Sequence, residues 1–406
     1  VGEDLIGGKA AKLARLSAEG FRVPGGFCLP VNAYRLFLSR NRLDEMIRFE
    51  LGRKDFDQMR WEEIWDAALR IRNAFQSADM VDEVAAAVSD AYGALSPAAG
   101  TAVRSSAPGE DAAGSSFAGL HESIVEVKSL EQVLESIKLV WASLWSDGAL
   151  LYQQELQLDP SASSMAVVVQ EMVEEDVSGV AFGCDPRDPD ADRAVIEAVP
   201  GLCKELVDGT LDPDRWIIIR STGEISEMRK GEREGEQAAE LLSSNDLKNI
   251  YTMLQQVEDL FGWCPDTEWT EKKERFTLLQ ARPVTTGKQS EEDEKAYYLT
   301  LRPGEKRLRD LSHRVADELI PALREEGERL AAEKLTGLSD AELAGAIDER
   351  QAAYTRWKTV YRDDFIPFAH GVRALATYYN DRVNPADPYE FAGLLKGETM
   401  ISTRRN

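Results

Sequence analysis

The chain has 406 residues, room for two or three domains, and its 43% hydrophobic and 30% charged residues exclude wholesale disorder. Lys and Arg number 48 against 72 Asp and Glu, a net charge of −24, and a field of that sign repels nucleic acid and anionic membrane surfaces. Three histidines and four cysteines, with no CxxC and no HExxH, argue against clustered zinc sites and a disulfide framework, so a cytosolic, reduced chain is expected. The sequence carries no signal peptide and no run of about 18 apolar residues. Val1 and Arg404-Arg405-Asn406 read as the ends of a fragment of a longer protein.

Along the chain, Gly7-Gly8-Lys9 precedes the helix-forming Ala10–Leu16. Leu130, Val133, Leu134, Ile137, Val140, Trp141 and Leu144 then recur at helical spacing. The short apolar runs Ala166–Val173, Val177–Phe182, Ala194–Val199, Trp216–Ile219 and Phe276–Ala281 read as strands, several of them buried. Gly287–Ser290 and the acidic run Glu291–Glu294 read as a linker. Charge divides there: residues 287–406 carry a net −3 and residues 1–286 a net −21. Beyond it the pattern is helical, through Leu308, Leu311, Val315, Leu319 and Leu323, then Leu343, Ile347, Tyr354 and Trp357, with Pro321 expected to kink or divide the first helix.

Three stretches call for more than packing. A glycine pair lets backbone N–H groups approach an anion at a helix N-terminus, and Lys9 adds a point charge; a plain helix-capping Gly-Gly is equally open. The stretch is no Walker A loop, since Glu3 stands where the first glycine belongs and Ala10 replaces Ser or Thr. In the second stretch, Val103-Arg104-Ser105-Ser106-Ala107 leads into a loop of glycines and serines ending in Ser116-Phe117-Ala118-Gly119, suited to folding over phosphates. The third is Asp266-Thr267-Glu268-Trp269, a charged turn at Glu271–Glu274, and Phe276–Pro283. Strand alternation puts Gln280 and Arg282 on one face with Phe276 and Leu278. If the preceding segment pairs with it as a hairpin, Glu268 lies nearby. Carboxylate, amide and guanidinium together suit a divalent metal bridging phosphate oxygens, with a structural Glu268–Arg282 salt bridge as the alternative.

Six motifs in order carry a resemblance: Gly7-Gly8-Lys9-Ala10-Ala11, Arg22-Val23-Pro24-Gly25-Gly26-Phe27, Val103–Ala107, Ser116–Gly119, Ser178-Gly179-Val180-Ala181-Phe182 and Leu279-Gln280-Ala281-Arg282-Pro283. Together they resemble the nucleotide-binding domain of phosphoenolpyruvate synthase, pyruvate phosphate dikinase and rifampin phosphotransferase. The resemblance implies an α+β chain, with an ATP-grasp domain over 1–286 and an α-helical segment over 287–406 similar to the insertion in synthase-like and rifampin phosphotransferase-like proteins. ATP and Mg2+ are the implied ligands. Lys9 and Arg104 would hold phosphates, and Gly119 and Ser123 would lie in the lid. Gln170 would open the hinge Gln170–Val173 that meets adenine. Glu268 and Gln280 would coordinate magnesium, and Arg282 would steady the transferring phosphoryl group.

The sequence departs from the family pattern at Leu120, Cys203 and Lys204, while Asp266-Thr267-Glu268-Trp269 keeps both acids. The family passes phosphate through a histidine on a separate swivelling domain, and none of His121, His313 and His370 has the surroundings of that motif. A phosphohistidine domain, in the same parent chain or on a partner subunit, is therefore the implied partner. The alternatives are the ATP-binding subunit of a split enzyme similar to phenylphosphate synthase, an ATP-grasp ligase, or a nucleotide-sensing module.

Overall fold

The computed structural model describes residues 2–95, 99–108, 123–173, 176–201, 213–231, 241–272, 275–284 and 305–394. Its contacts divide the chain into two compact units, Val1–Lys288 and Gln289–Asn406. In the first unit the helices are α1 (Glu3–Ala18), α2 (Val31–Arg40), α3 (Leu43–Leu51), α4 (Trp61–Ser77), α5 (Asp82–Gly93), α6 (Leu130–Ser143) and α7 (Asp147–Glu155). Four strands, β1 (Gly26–Leu29), β2 (Thr101–Ser106), β3 (Ser123–Val127) and β4 (Ala166–Glu171), form an antiparallel sheet in the order β1-β4-β2-β3. A second antiparallel sheet runs β10-β9-β5-β6-β7-β8, from β5 (Val177–Phe182), β6 (Arg193–Pro200), β7 (Asp214–Ile219), β8 (Ile225–Arg229), β9 (Pro265–Lys272) and β10 (Arg275–Pro283). Helices packed on antiparallel sheets make the chain α+β, as the sequence implies.

Alternation along the strands decides which side chains meet the core. On the six-stranded sheet Ala181, Ile196, Ala198, Trp216 and Trp269 point to one face. Helix Ser244–Phe261 covers that face with Leu247, Ile250, Leu254 and Val257, one helical stripe. That helix has a capping box between Ser243 and Asp246, and it ends at Gly262 in the left-handed conformation. Gly179, in the Ser178–Phe182 motif, is small because the Trp269 ring lies where a Cβ would stand. On the four-stranded sheet, Val103, Val167 and Val169 are buried on one face. The other face carries Val168 and Cys28, packed against Ala10 and Leu13 of α1. Arg104 lies on this second face, because it is the register partner of Val168.

The five apolar runs fall on β4, β5, β6, β7 and β10. Strands β1, β2, β3, β8 and β9 lie outside those runs: β1, β3 and β8 are short, all of β8 is exposed, β2 mixes Arg104 and two serines with its apolar residues, and β9 alternates Asp266 and Glu268 with Thr267 and Trp269.

Helix α1 contains the first motif and a break. Gly7 has φ +73 and ψ 166, so two helical pieces meet there. A Cβ at Gly7 would collide with the backbone carbonyl of Ser106. Beyond the break, Gly8 N–H donates to Ala107 O (3.4 Å), Ala10 N–H donates to Ser106 Oγ (3.0 Å), and that hydroxyl donates to Ile6 O (2.7 Å). Two of the amides expected to face an anion are therefore spent on β2. The Gly-Gly pair locks α1 onto the end of the strand that carries Arg104.

Cysteine usage departs from expectation. Cys184 and Cys264, 80 residues apart in sequence, form a disulfide with a Cα–Cα distance of 6.0 Å. The reason is topological: Cys184 follows β5 and Cys264 precedes β9, and Phe182 is the register partner of Asp266 on those adjacent strands. Spacing along the chain gives no hint of this.

In the second unit, helices Glu305–His313 and Ile320–Ala332 are joined by a π-helical segment, Arg314–Leu319, just before Pro321. The same device recurs at Tyr361–Phe365, between Asp340–Val360 and Ile366–Val383 and just before Pro367. Proline lacks the N–H for the ordinary turn, and a wider turn absorbs the mismatch. Leu343, Ile347 and Tyr354 are exposed, and their helix buries Ala346 and Ala353 instead. Among the described residues no helix is long and apolar enough to cross a membrane.

Gly7 yields a test. Gly7→Ala combines a left-handed φ with a collision against Ser106, whereas Gly20→Ala has φ +86 and open space. Urea unfolding is expected to show a loss of about 3 kcal/mol or more for Gly7→Ala against about 1 kcal/mol for Gly20→Ala. Equal losses would show that the Ser106 contact does not constrain α1.

Candidate functional site

Arg104 links the two sheets of the first unit. Arg104, fourth residue of β2, donates from Nη2 to Glu268 Oε2 at 2.6 Å and to Gln280 Oε1 at 3.0 Å, and from Nη1 to Leu279 O at 3.2 Å. Glu268 on β9 and Gln280 on β10 are register partners, as the hairpin reading anticipates. The register shifts between Leu278 and Gln280, leaving Leu279 as a bulge. Alternation alone puts Gln280 and Arg282 on the face of Phe276 and Leu278; the structure corrects this. Leu278 and Ala281 both face the core, three positions apart, because the extra residue flips the strand. Gln280 and Arg282 thus turn to the opposite face, beside Glu268, and the bulge carbonyl accepts from Arg104.

Lys9 is 6% exposed, and its Nζ donates to Ser105 O at 2.9 Å. Arg282 pairs through Nε with Asp266 Oδ2 at 2.7 Å. The structural alternative of a Glu268–Arg282 bridge is therefore not the pairing formed: the cross-strand carboxylate Asp266 holds Arg282, and Glu268 takes Arg104 from the other sheet. Burial by itself would raise the Glu268 carboxyl; the charge and hydrogen bond of Arg104, then the charges of Lys9 and Arg282, override it and hold the group below its usual range. One ionised acid thus sits within the fields of three cations.

Ser123 on β3 is the register partner of Arg104 and is exposed. Gln170 is buried at the end of β4, between Gly26 and Ala102, on the same sheet face as Arg104 and two residues beyond Val168. After it, Glu171 N–H donates to Gly25 O (2.7 Å) and Met172 N–H to Gly100 O (2.9 Å). Gly119, Leu120, His121, Cys203 and Lys204 lie outside the described residues. Sequence reading overlooked three participants: Asp266 as holder of Arg282, the Leu279 carbonyl, and Ser106 as anchor of α1. For Asp266 a signal existed, since both acids of Asp266-Thr267-Glu268 alternate onto one face. Further along the same face, Val180 separates Glu268 from Glu197, which lies 3.6 Å from Arg215.

Whether a divalent cation fits can be judged from the donors. Among the described residues no group of three or more His, Cys, Asp or Glu gathers at a metal-binding distance. One carboxylate and one amide oxygen already converge on a guanidinium, a cation standing in the same place. Such a pair suits a hard ion that draws its remaining ligands from water and phosphate.

Residues 3–301 match the model of the pyruvate phosphate dikinase AMP/ATP-binding domain. The chain belongs to that family. Phosphoenolpyruvate synthase of Aeropyrum pernix is 33% identical over 344 residues, covering 72% of this chain and 42% of that protein. The rifampicin phosphotransferase of a Streptomyces species is 33% identical over 303 residues, covering 69% of this chain and 34% of that one. A probable phosphoenolpyruvate synthase of Methanocaldococcus jannaschii is 30% identical over 316 residues, covering 72% and 26%. The chain therefore spans less than half the length of these relatives. Among solved structures, D-alanine–D-alanine ligase from Helicobacter pylori overlaps 50% of this chain and 47% of that one at 12% identity, with a TM-score of 0.24, too low to carry an argument.

The depressed Glu268 gives a pH prediction. Its folded value lies below 4.5, so its stabilisation is complete above that pH and is lost as pH falls through the folded value. At pH 7, Glu268→Gln is expected to cost about 2 kcal/mol, the worth of a hydrogen bond between charged groups. In urea titrations from pH 7 to pH 3 the gap between the two proteins narrows below about pH 4.5. A gap independent of pH would mean that Glu268 is not held ionised by its neighbours.

Proposed function

We propose that this chain is the ATP-binding part of a dikinase-type phosphotransferase, which passes phosphate from Mg-ATP to a histidine on a separate swivelling domain, as phosphoenolpyruvate synthase-like enzymes do. One observation carries the reading: Lys9, Arg104 and Arg282 converge from α1, β2 and β10 on Glu268 and Gln280. A polyanion entering between the sheets meets three fixed cations. Phosphoryl transfer asks a protein chiefly for positioning and neutralisation of charge.

In this reading Lys9 and Arg104 hold the phosphates. Lys9 is set by its bond to Ser105 O, so its ammonium has a fixed place before the nucleotide arrives. Arg282 is oriented by Asp266 and steadies the transferring group. Ser123, beside Arg104 on the next strand, and Gly119 belong to a lid over the phosphates. Gln170 opens the segment that meets adenine. Glu268 and Gln280 would hold Mg2+, which would offset the charge developing in the transfer.

The transfer breaks a P–O bond of the nucleotide and forms a P–N bond on histidine. Neither described histidine has the surroundings of the family's phosphohistidine motif, and His370 is buried. The phosphohistidine is accordingly assigned to a domain beyond these residues or to a partner subunit. The proposed setting is the cytoplasm, where Mg-ATP is supplied.

Calorimetry tests the reading. Wild-type chain is expected to bind ATP more tightly with Mg2+ than without. Lys9→Ala and Arg282→Ala should each weaken binding at least about tenfold, the worth of a charge-assisted contact. Unchanged affinity in both variants sinks the proposal.

A further inference from the structure

Arg104 occupies the groups that the reading above gives to magnesium. Its guanidinium takes Glu268 Oε2 at 2.6 Å and Gln280 Oε1 at 3.0 Å, and its side chain is only 12% exposed. A guanidinium bonded to these oxygens and a divalent ion ligated by them cannot occupy the same place. We propose that Arg104 is an exchangeable internal cation: it seals the metal site while no nucleotide is present and moves onto the phosphates as the ion replaces it on Glu268 and Gln280. The inference rests on the reading that this site takes Mg-ATP.

Three observations support an exchange rather than a permanent strut. First, the buried Arg104 Nε finds no acceptor among the described residues, so the guanidinium is incompletely satisfied where it sits. A phosphate offers the planar, two-point acceptor that this fork lacks. Second, two of the three acceptors of Arg104, Gln280 Oε1 and the Leu279 carbonyl, are neutral, which lowers the cost of leaving. Third, each buried charge keeps a counter-charge: Glu268 exchanges a guanidinium for a divalent ion, while Arg104 trades one carboxylate for phosphate. Neither side is left as an unpaired buried ion, the outcome that makes breaking such pairs expensive. The consequence is coupling. Metal alone must compete with Arg104, and metal-free nucleotide must draw Arg104 from Glu268, so each ligand assists the other.

Mn2+ binding to the full chain, followed by electron paramagnetic resonance, tests this without reference to turnover. Arg104→Met is expected to bind Mn2+ in the absence of nucleotide at least about tenfold more tightly than wild type, since a hydrogen-bonded competing charge is gone. Arg104→Lys should fall between them. Unchanged Mn2+ affinity in Arg104→Met, with Glu268→Gln still abolishing Mn2+ binding in the presence of ATP, overturns the exchange and leaves the metal site standing. If Glu268→Gln binds Mn2+ as wild type does, the site reading fails and the exchange fails with it. A reciprocal measurement does not depend on Arg104→Met alone. In EDTA, Glu268→Gln releases Arg104 and should bind ATP several-fold more tightly than wild type. The double variant with Arg104→Met should lose that gain. A gain of equal size in both backgrounds is a plain field effect and overturns the proposal.

Discussion

The ion pair between Arg104 and Glu268 is the interaction on which the rest of the site depends. It is the point where a strand of the four-stranded sheet reaches a strand of the six-stranded one, 164 residues further along the chain. Its surroundings make sense as means of keeping it in place. The Gly7 break presses α1 onto the end of β2, Lys9 ties the same strand through Ser105, and the Leu279 bulge turns Gln280 towards the guanidinium. Backbone adds a second link, since Leu278 N–H donates to Arg22 O just before β1. Burying a carboxylate among three cations is costly unless each charge is answered, and here Asp266 answers Arg282 while Glu268 answers Arg104.

The overall charge sharpens rather than opposes this account. Residues 1–286 carry a net −21, a field that on its face repels an anionic ligand. Screening limits such a field to roughly 8 Å at physiological ionic strength. Within the cleft the nearest charges decide, and there Lys9, Arg104 and Arg282 outnumber the carboxylates of Glu268 and Asp266.

How much of this the sequence discloses depends on whether the physics is local. Short apolar runs, most of them rich in Val and Ile, yielded β4, β5, β6, β7 and β10, because buried strands have a composition of their own. The Glu268–Gln280 neighbourhood also followed from local reasoning, since a hairpin across a short turn pairs those residues. Alternation, however, misplaced Gln280 and Arg282, because a single bulged residue leaves no compositional trace. The partners of Arg104, the anchoring of Ala10 by Ser106 and the meeting of Cys184 with Cys264 are consequences of topology. Only the fold brings them together. Gly7 was legible as a special residue, yet its role changed from anion cradle to a close approach against Ser106.

A crystal structure of the chain with Mg2+ and a non-hydrolysable ATP analogue tests the central claim most directly. The account predicts nucleotide between the two sheets, the ion on Glu268 and Gln280, and Arg104 turned onto phosphate oxygens. Nucleotide bound elsewhere, or bound with Arg104 still on Glu268 and no ion between Glu268 and Gln280, would contradict it.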